Sequence, residues 1–422
     1  MSLERPIMLS PARTGATVLT AALLAGLAAA PALADTAAAS PSPSPVAAPA
    51  ALYGKSDPTY DGVWRQSLAL TALAGAKITP ADSAVAWLSG QQCADGGWPS
   101  FRADTAVPCT AATEDSNATS VAIQALTALG GHQGAVDKGV QWIKANQNAD
   151  GTWSYNPGTP GDANSTGLVV SALRAAKTDP STVAKAGKSA LDGLAAFQLG
   201  CAAPADQRGA YAYQPDAKGA LAANALATSQ ATLATAGGSL PVAAGALSGP
   251  APTAPACADA ATKLSPAQQA ESASAYLATQ LATGGNHLML AMPGATPAPD
   301  YNATAWAALS LVRAGHPQQA ADAVAWLAGT AGNWAKGPAG TDASATATLL
   351  LAAQATGHNQ HAFGGTDLVA QLVAAGPTPK ASTAGGQTGR SPVWIAGLGL
   401  IGGIGAGLVI SMNRRRAAAT RK

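Results

Sequence analysis

The chain has 422 residues, of which 48% are apolar and only 11% charged, with 46 Gly, 29 Pro and 3 Phe. Disordered chains are polar and highly charged, so disorder is excluded for most of it, and a net charge of +2 speaks against a nucleic-acid binder. Most of the apolar content is Ala and only the two ends carry long uncharged runs, which excludes a multi-pass membrane protein.

Residues 1–34 read as a secretory signal peptide. Arg5 and Arg13 supply a basic start, an apolar stretch runs from Ala16 to Ala30, and Ala32-Leu33-Ala34 is a small-x-small cleavage pattern. Residues 35–52 read as an Ala/Pro/Ser-rich linker.

From 53 to 376 the chain repeats itself. Asp115-Ser116-Asn117-Ala118-Thr119, Asp162-Ala163-Asn164-Ser165-Thr166, Asp300-Tyr301-Asn302-Ala303-Thr304 and Asp342-Ala343-Ser344-Ala345-Thr346 each lead into an Ala-rich apolar run. Two weaker copies fit, one opening at Asp61 before Trp64, the other at Ala222 before Asn224. The six copies start near 61, 115, 162, 222, 300 and 342. Asp or Asn at the head is a good helix N-cap. Apolar residues then recur at three and four spacing, and Gly closes most copies. A second helix follows each first one, marked by Trp87, Trp142, Phe197, Tyr276, Trp326 and the run 367–373. The expectation is an all-α region of six helix pairs.

Four Cys fall here: Cys93, Cys109, Cys201 and Cys257. An even count in an exported chain favours disulfides, and sequence neighbours suggest Cys93–Cys109 and Cys201–Cys257. The spacing is not that of a zinc site, and no metal is expected. His287, His316, His358 and His361 fall in expected surface loops.

Residues 377–392 read as a stalk. Residues 393–412 carry no charge and are long enough to span a bilayer as a helix. The basic tail 413–422 follows, with Arg414, Arg415 and Arg416 at its start, and the positive-inside rule holds it in the cytoplasm. The expected location is the cell membrane, single-pass, with an extracytoplasmic N-terminal domain and a cytoplasmic C-terminal tail. Between residues 35 and 392 there are 17 basic and 21 acidic residues, so the outer part is mildly acidic.

The second helices lead into turns. Gln91-Gln92-Cys93-Ala94-Asp95-Gly96-Gly97-Trp98 and Asn146-Gln147-Asn148-Ala149-Asp150-Gly151-Thr152-Trp153 are full versions, and Gly332-Asn333-Trp334 is a shortened one. They resemble the Q-x-x-D-G-x-W turns of the squalene cyclase and protein prenyltransferase superfamily, the terpenoid cyclase-like toroids with prenyltransferase/squalene-oxidase-type repeats. The resemblance implies an (α/α)6 toroid over 53–376, with each turn linking an outer helix to the next inner one.

Family cyclases that start by protonation carry D-x-D-D-T-A at one inner-helix start, its third residue being the proton donor. Asp300-Tyr301-Asn302-Ala303-Thr304-Ala305 is similar with both central acids gone, and a neutral amide cannot supply the proton. No D-x-D-D or D-D-x-x-D occurs, and the prenyltransferase zinc ligands are absent. Paired-carboxylate glycosidase chemistry has only Glu4, Glu114 and Glu271 as Glu candidates. No catalytic residue and no cofactor is therefore expected.

In a toroid of this kind the inner helices run parallel, so their N-termini ring one mouth, where dipoles and spare N–H groups favour polar ligands. The ligand-binding candidates on that rim are Asp61, Trp64, Asp115, Asn117, Asp162, Asn164, Asn224, Asp300, Tyr301, Asn302 and Asp342. The toroid is also similar to the helical domain of cobalamin-binding carriers. The leading expectation is a non-catalytic, membrane-anchored binding toroid that captures a nutrient, corrinoid-like, for a transporter or envelope partner. The alternatives are a terpene-cyclase-like or glycan-acting exported enzyme, and a structural module of the envelope.

Overall fold

The computed structural model describes residues 45–246, 248–290 and 296–381. The expected signal peptide (1–34), membrane span (393–412) and basic tail (413–422) lie outside the described residues, as do most of the linker and stalk. Among the described residues no helix is long and apolar enough to cross a membrane. The longest, Pro266–Thr283, carries Gln268, Gln269, Glu271 and Gln280 along its length, so only one stripe of it is apolar. The expected single-pass membrane location is corrected on that ground.

The region is helix-rich, in keeping with an α/α toroid. Six helices, α1 (Gly62–Gly75), α3 (Ser116–Leu129), α5 (Ala163–Ala175), α7 (Ala225–Thr235), α9 (Tyr301–Ala314) and α11 (Ala343–Thr356), touch in that order, and α11 returns to α1. Each carries a companion on its flank: α2 (Asp82–Gly90), α4 (Gln133–Ala145), α6 (Ala190–Ala195), α8 (Pro266–Thr283), α10 (Pro317–Thr330) and α12 (Leu368–Ala374). The ring is closed by main chain as well, since Gly54 N–H donates to the Ala375 carbonyl at 2.9 Å.

The helix starts follow from their caps. Asp115, Asp162, Asn224, Asp300 and Asp342 each accept a first-turn N–H through the side chain, at 2.7 to 3.0 Å. Asp61 differs. It makes no cap bond and instead pairs with Arg65 at 3.0 Å, because a buried guanidinium one turn on competes for its carboxylate. Beyond the caps, small residues bring the ring helices close. A Cβ on Gly167 of α5 would lie 3.3 Å from the α7 backbone at Ala231, so a larger side chain would push the two helices apart.

The turns bind neighbouring helices together. Four residues after each cap stands Thr119, Thr166, Thr228 or Thr304, which accepts the N–H of Trp98, Trp153, Tyr211 or Leu288 at 2.8 to 3.0 Å. Gln66 does the same in the first copy, taking Tyr53 N–H at 2.9 Å. Two residues beyond Trp98, Trp153 and Tyr211, the carbonyls of Ser100, Tyr155 and Tyr213 accept from the N–H groups of Val63, Ser116 and Ala163. Each of these turns thus holds the start of one ring helix and the start of the next. Trp98 and Trp153 are fully buried, their indole N–H groups bonded to the Leu88 and Ile143 carbonyls.

A third turn of this kind is interrupted in the sequence. Gln92 and Gln147 each donate to a Gly carbonyl four residues on, Gly96 and Gly151. Gln198 donates to Gly209, eleven residues on. The intervening segment holds Cys201, which is bonded to Cys257, while Cys93 is bonded to Cys109. Both suggested pairings are therefore present. The shortened turn at Gly332 is shifted by one: Ala335, not Trp334, is buried and accepts Asp342 N–H at 3.0 Å.

Two short antiparallel ladders depart from the all-α expectation. β1 (Ala184–Lys185) pairs with β2 (Lys188–Ser189), and β3 (Leu288–Leu290) with β4 (Ala298–Asp300). Between β1 and β2 the turn is made by Ala186 and Gly187, both at positive φ. Thr166→Val keeps the shape of the side chain but leaves the buried Trp153 N–H without an acceptor. It is expected to cost about 1–3 kcal/mol in urea unfolding, with Thr166→Ser restoring most of the loss.

Candidate functional site

The rim residues fall into three groups. Asp115 and Asp162 are almost fully buried and their carboxylates are occupied by caps, with Ser100 and Ser165 hydroxyls adding to them. Asp61 is engaged by Arg65, and Asp342 caps α11. Asn117 and Asn164 are half-buried two residues past the caps of α3 and α5, and Asn164 Nδ2 donates to Gln230 Oε1 of α7 at 2.9 Å. Trp64 of α1 meets Trp306 of α9 with ring centroids 6.4 Å apart. These two helices are not ring neighbours, so the indoles fill the space between them. Tyr301 and Asn302 are half-buried, and Tyr301 stacks between Trp326 and Trp334 at 5.3 and 5.8 Å.

Three of the rim residues come together. Asn164, Asn224 and Asp300, from the starts of α5, α7 and α9, line one cleft of about 540 Å³. Its other walls are Tyr213, Leu226, Tyr276 and Gln280, with Met289 and Leu290 of β3 at the edge. Tyr213, Met289 and Leu290 are exposed, at 46%, 40% and 48%. A cleft of this size, apolar on one side with a few fixed polar groups on the other, suits a small organic ligand. Asp61, Asp115, Asp162, Asp342, Trp64, Asn117, Tyr301 and Asn302 are not among its lining residues.

The sequence reading did not single out Tyr213, Gln280, Met289 or Leu290. Tyr213 stands two residues after Tyr211, as Tyr155 stands two after Trp153 and Leu290 two after Leu288, so the spacing was a usable signal once Tyr211 was placed. One expectation fails for the histidines. His316 is buried, its ring held between the Pro250 carbonyl at 2.9 Å and Glu271 at 3.0 Å.

Residues 51–163 match the squalene-hopene cyclase C-terminal domain family. That span holds α1 to α4 and both full turns, so the terpenoid cyclase-like resemblance stands on the residues that first carried it. Two solved structures are similar in outline. One is a protein from Actinoplanes, 15% identical over 70% of this chain and 90% of its own, with a TM-score of 0.43. The other is an ent-copalyl diphosphate synthase from Streptomyces platensis, 15% identical over 70% of this chain and half of its own, at 0.42. Likeness this distant does not bear on function. No curated protein matches the chain.

Burial sets the electrostatics of this end. It raises the carboxyls of Asp61, Asp115, Asp162 and Asp300 above their ordinary range, against the opposing pull of Arg65 on Asp61 and of cap N–H groups on the others. Glu114 stands beside the cap of α3 and is raised as well. Burial lifts it to about 7, with Asp95 adding to the rise and the Trp142 indole opposing it. An acid raised in the folded state binds its proton more tightly there than when unfolded. Stability from this group is thus full below about pH 4.5 and is lost as pH rises toward 7. Glu114→Gln is expected to remove that decline. Relative to the parent, the variant should gain on the order of 2 kcal/mol between pH 5 and 8, after allowance for solvent screening, as read from paired denaturant melts.

Proposed function

We propose that the region is a six-repeat toroid that binds a small ligand at its N-terminal rim and does not turn it over. The observation that carries this reading is the cleft in which Asn164, Asn224 and Asp300 meet Tyr213 and Tyr276. The repeat supplies its polar groups three times over, from successive helix starts, and the turn residues supply its apolar wall. The absence of the paired central acids at Asp300-Tyr301-Asn302-Ala303 supports a non-catalytic role. So does the use of Asp115 and Asp162 as caps, with both carboxylate oxygens of each already accepting hydrogen bonds.

A corrinoid-like nutrient is the first ligand class to try, carried toward a transporter or other envelope partner. A cleft of about 540 Å³ encloses only part of such a molecule. The exposed Tyr213, Met289 and Leu290 on its wall favour a second protein covering the rest.

The test is equilibrium titration with a corrinoid panel, followed by Tyr fluorescence or calorimetry. Micromolar binding that weakens about tenfold or more in Tyr213→Ala and in Asn224→Ser is the expected result; Ser keeps the cap at α7. No saturable binding removes the corrinoid. Turnover of isoprenoid or glycan substrates that disappears in Asp300→Asn, which also keeps its cap, would replace the binding role with an enzymatic one.

A further inference from the structure

The opposite end of the ring holds a different chemistry. Arg174 lies in the last turn of α5 and Arg313 in the last turn of α9, the helices on either side of α7. Both guanidiniums approach Gly237, just past the end of α7. A Cβ placed on Gly237 would lie 3.2 Å from Nη2 of Arg313 and 3.8 Å from Nη1 of Arg174. Two positive groups therefore face one point.

Neither is neutralised. Among the described residues no carboxylate lies within ion-pairing distance of either guanidinium. Arg313 donates to the Gly237 carbonyl at 3.0 Å. Arg174 Nε is buried with no partner at all. Asp179 lies within electrostatic range of Arg174, but its carboxylate accepts from the Ser181 N–H and hydroxyl at 2.9 and 2.8 Å. Burial works most against the charged form of Arg174; Asp179 favours that form, and Arg313 opposes it by less.

A cation at a helix C-terminus complements the dipole, which explains each Arg alone. It does not explain why two of them converge on one glycine, where they repel. A half-buried guanidinium without a partner is costly, and its planar fork suits carboxylate or phosphate oxygens. Space is available beside Arg313: Gly237, Ser239, Val312 and Arg313 line a cleft of about 360 Å³, whose lining does not include Arg174, although Arg174 reaches the Gly237 that does line it.

We propose that Arg174 and Arg313 together bind an oxyanion, a carboxylate or phosphate group, at Gly237. This site lies about one helix length from the rim cleft and does not depend on it.

The experiment is calorimetric titration of the full chain, at low salt, with inorganic phosphate and separately with malonate. Saturable, sub-millimolar binding of at least one is expected. Arg174→Gln and Arg313→Gln should each weaken it about tenfold or more, and Arg174→Lys, which keeps charge but loses the fork, should fall between. Binding of phosphate alone assigns a phosphate group, and binding of malonate alone assigns a carboxylate. Without added anion, Arg174→Gln should unfold at nearly the same denaturant concentration as the parent, because it breaks no ion pair and loses only the helix-dipole and Asp179 attractions while relieving burial and the repulsion from Arg313. The proposal is overturned if neither anion saturates or if both Gln variants bind like the parent.

Discussion

The hydrogen bonds between each turn and the helices it joins set the terms for this molecule. A Thr hydroxyl takes the N–H of Trp98, Trp153, Tyr211 or Leu288, and in three turns a carbonyl two residues on takes a helix-start N–H from the preceding ring helix. The rim is therefore built from backbone groups that already have partners. This is why its acids serve mostly as caps. It is also why the ring helices can be Ala- and Ser-rich, with little charge: their position is fixed at one end by directional bonds, and small side chains then allow close approach.

Much of this was legible in the sequence. The three Asp-x-Asn-x-Thr heads and the Asp342-x-Ser344-x-Thr346 head located four helix starts to the residue, because N-cap chemistry is local and does not depend on tertiary context. The two intact turns located their Trp residues in the core for the same reason. What escaped was non-local. The third turn is split by the segment that Cys201 anchors, so Gln198 and Tyr211 look unrelated until hydrogen bonds join them. At Asp61 a cap was expected and an ion pair with Arg65 won, since a buried guanidinium outbids a pair of N–H groups that water or carbonyls can satisfy. The cleft itself was half visible: its polar members sit at helix starts, whereas Met289 and Leu290 come from a strand that periodicity did not suggest.

The two ends of the ring divide their chemistry. Amides, raised carboxyls and tyrosines gather where helices begin, where the Arg65 guanidinium is paired with Asp61, whereas Arg174 and Arg313 stand without an ion-pair partner among the described residues where two helices finish. Between them the interior is not free space at the level of Trp64 and Trp306. The rim cleft lies to one side of this contact, walled by the starts of α5, α7 and α9 and by α8 and β3.

The return of α11 to α1 has a further effect. Open helical arrays need special first and last units, because each end would otherwise show an apolar face to water. Here Gly54 and Ala375 meet, and every ring helix has a neighbour on both sides. No unit acts as a terminus. Fraying cannot start at an end repeat and travel inward, so loss of any one pair opens two interfaces at once. Such a ring should come apart as a whole rather than unit by unit.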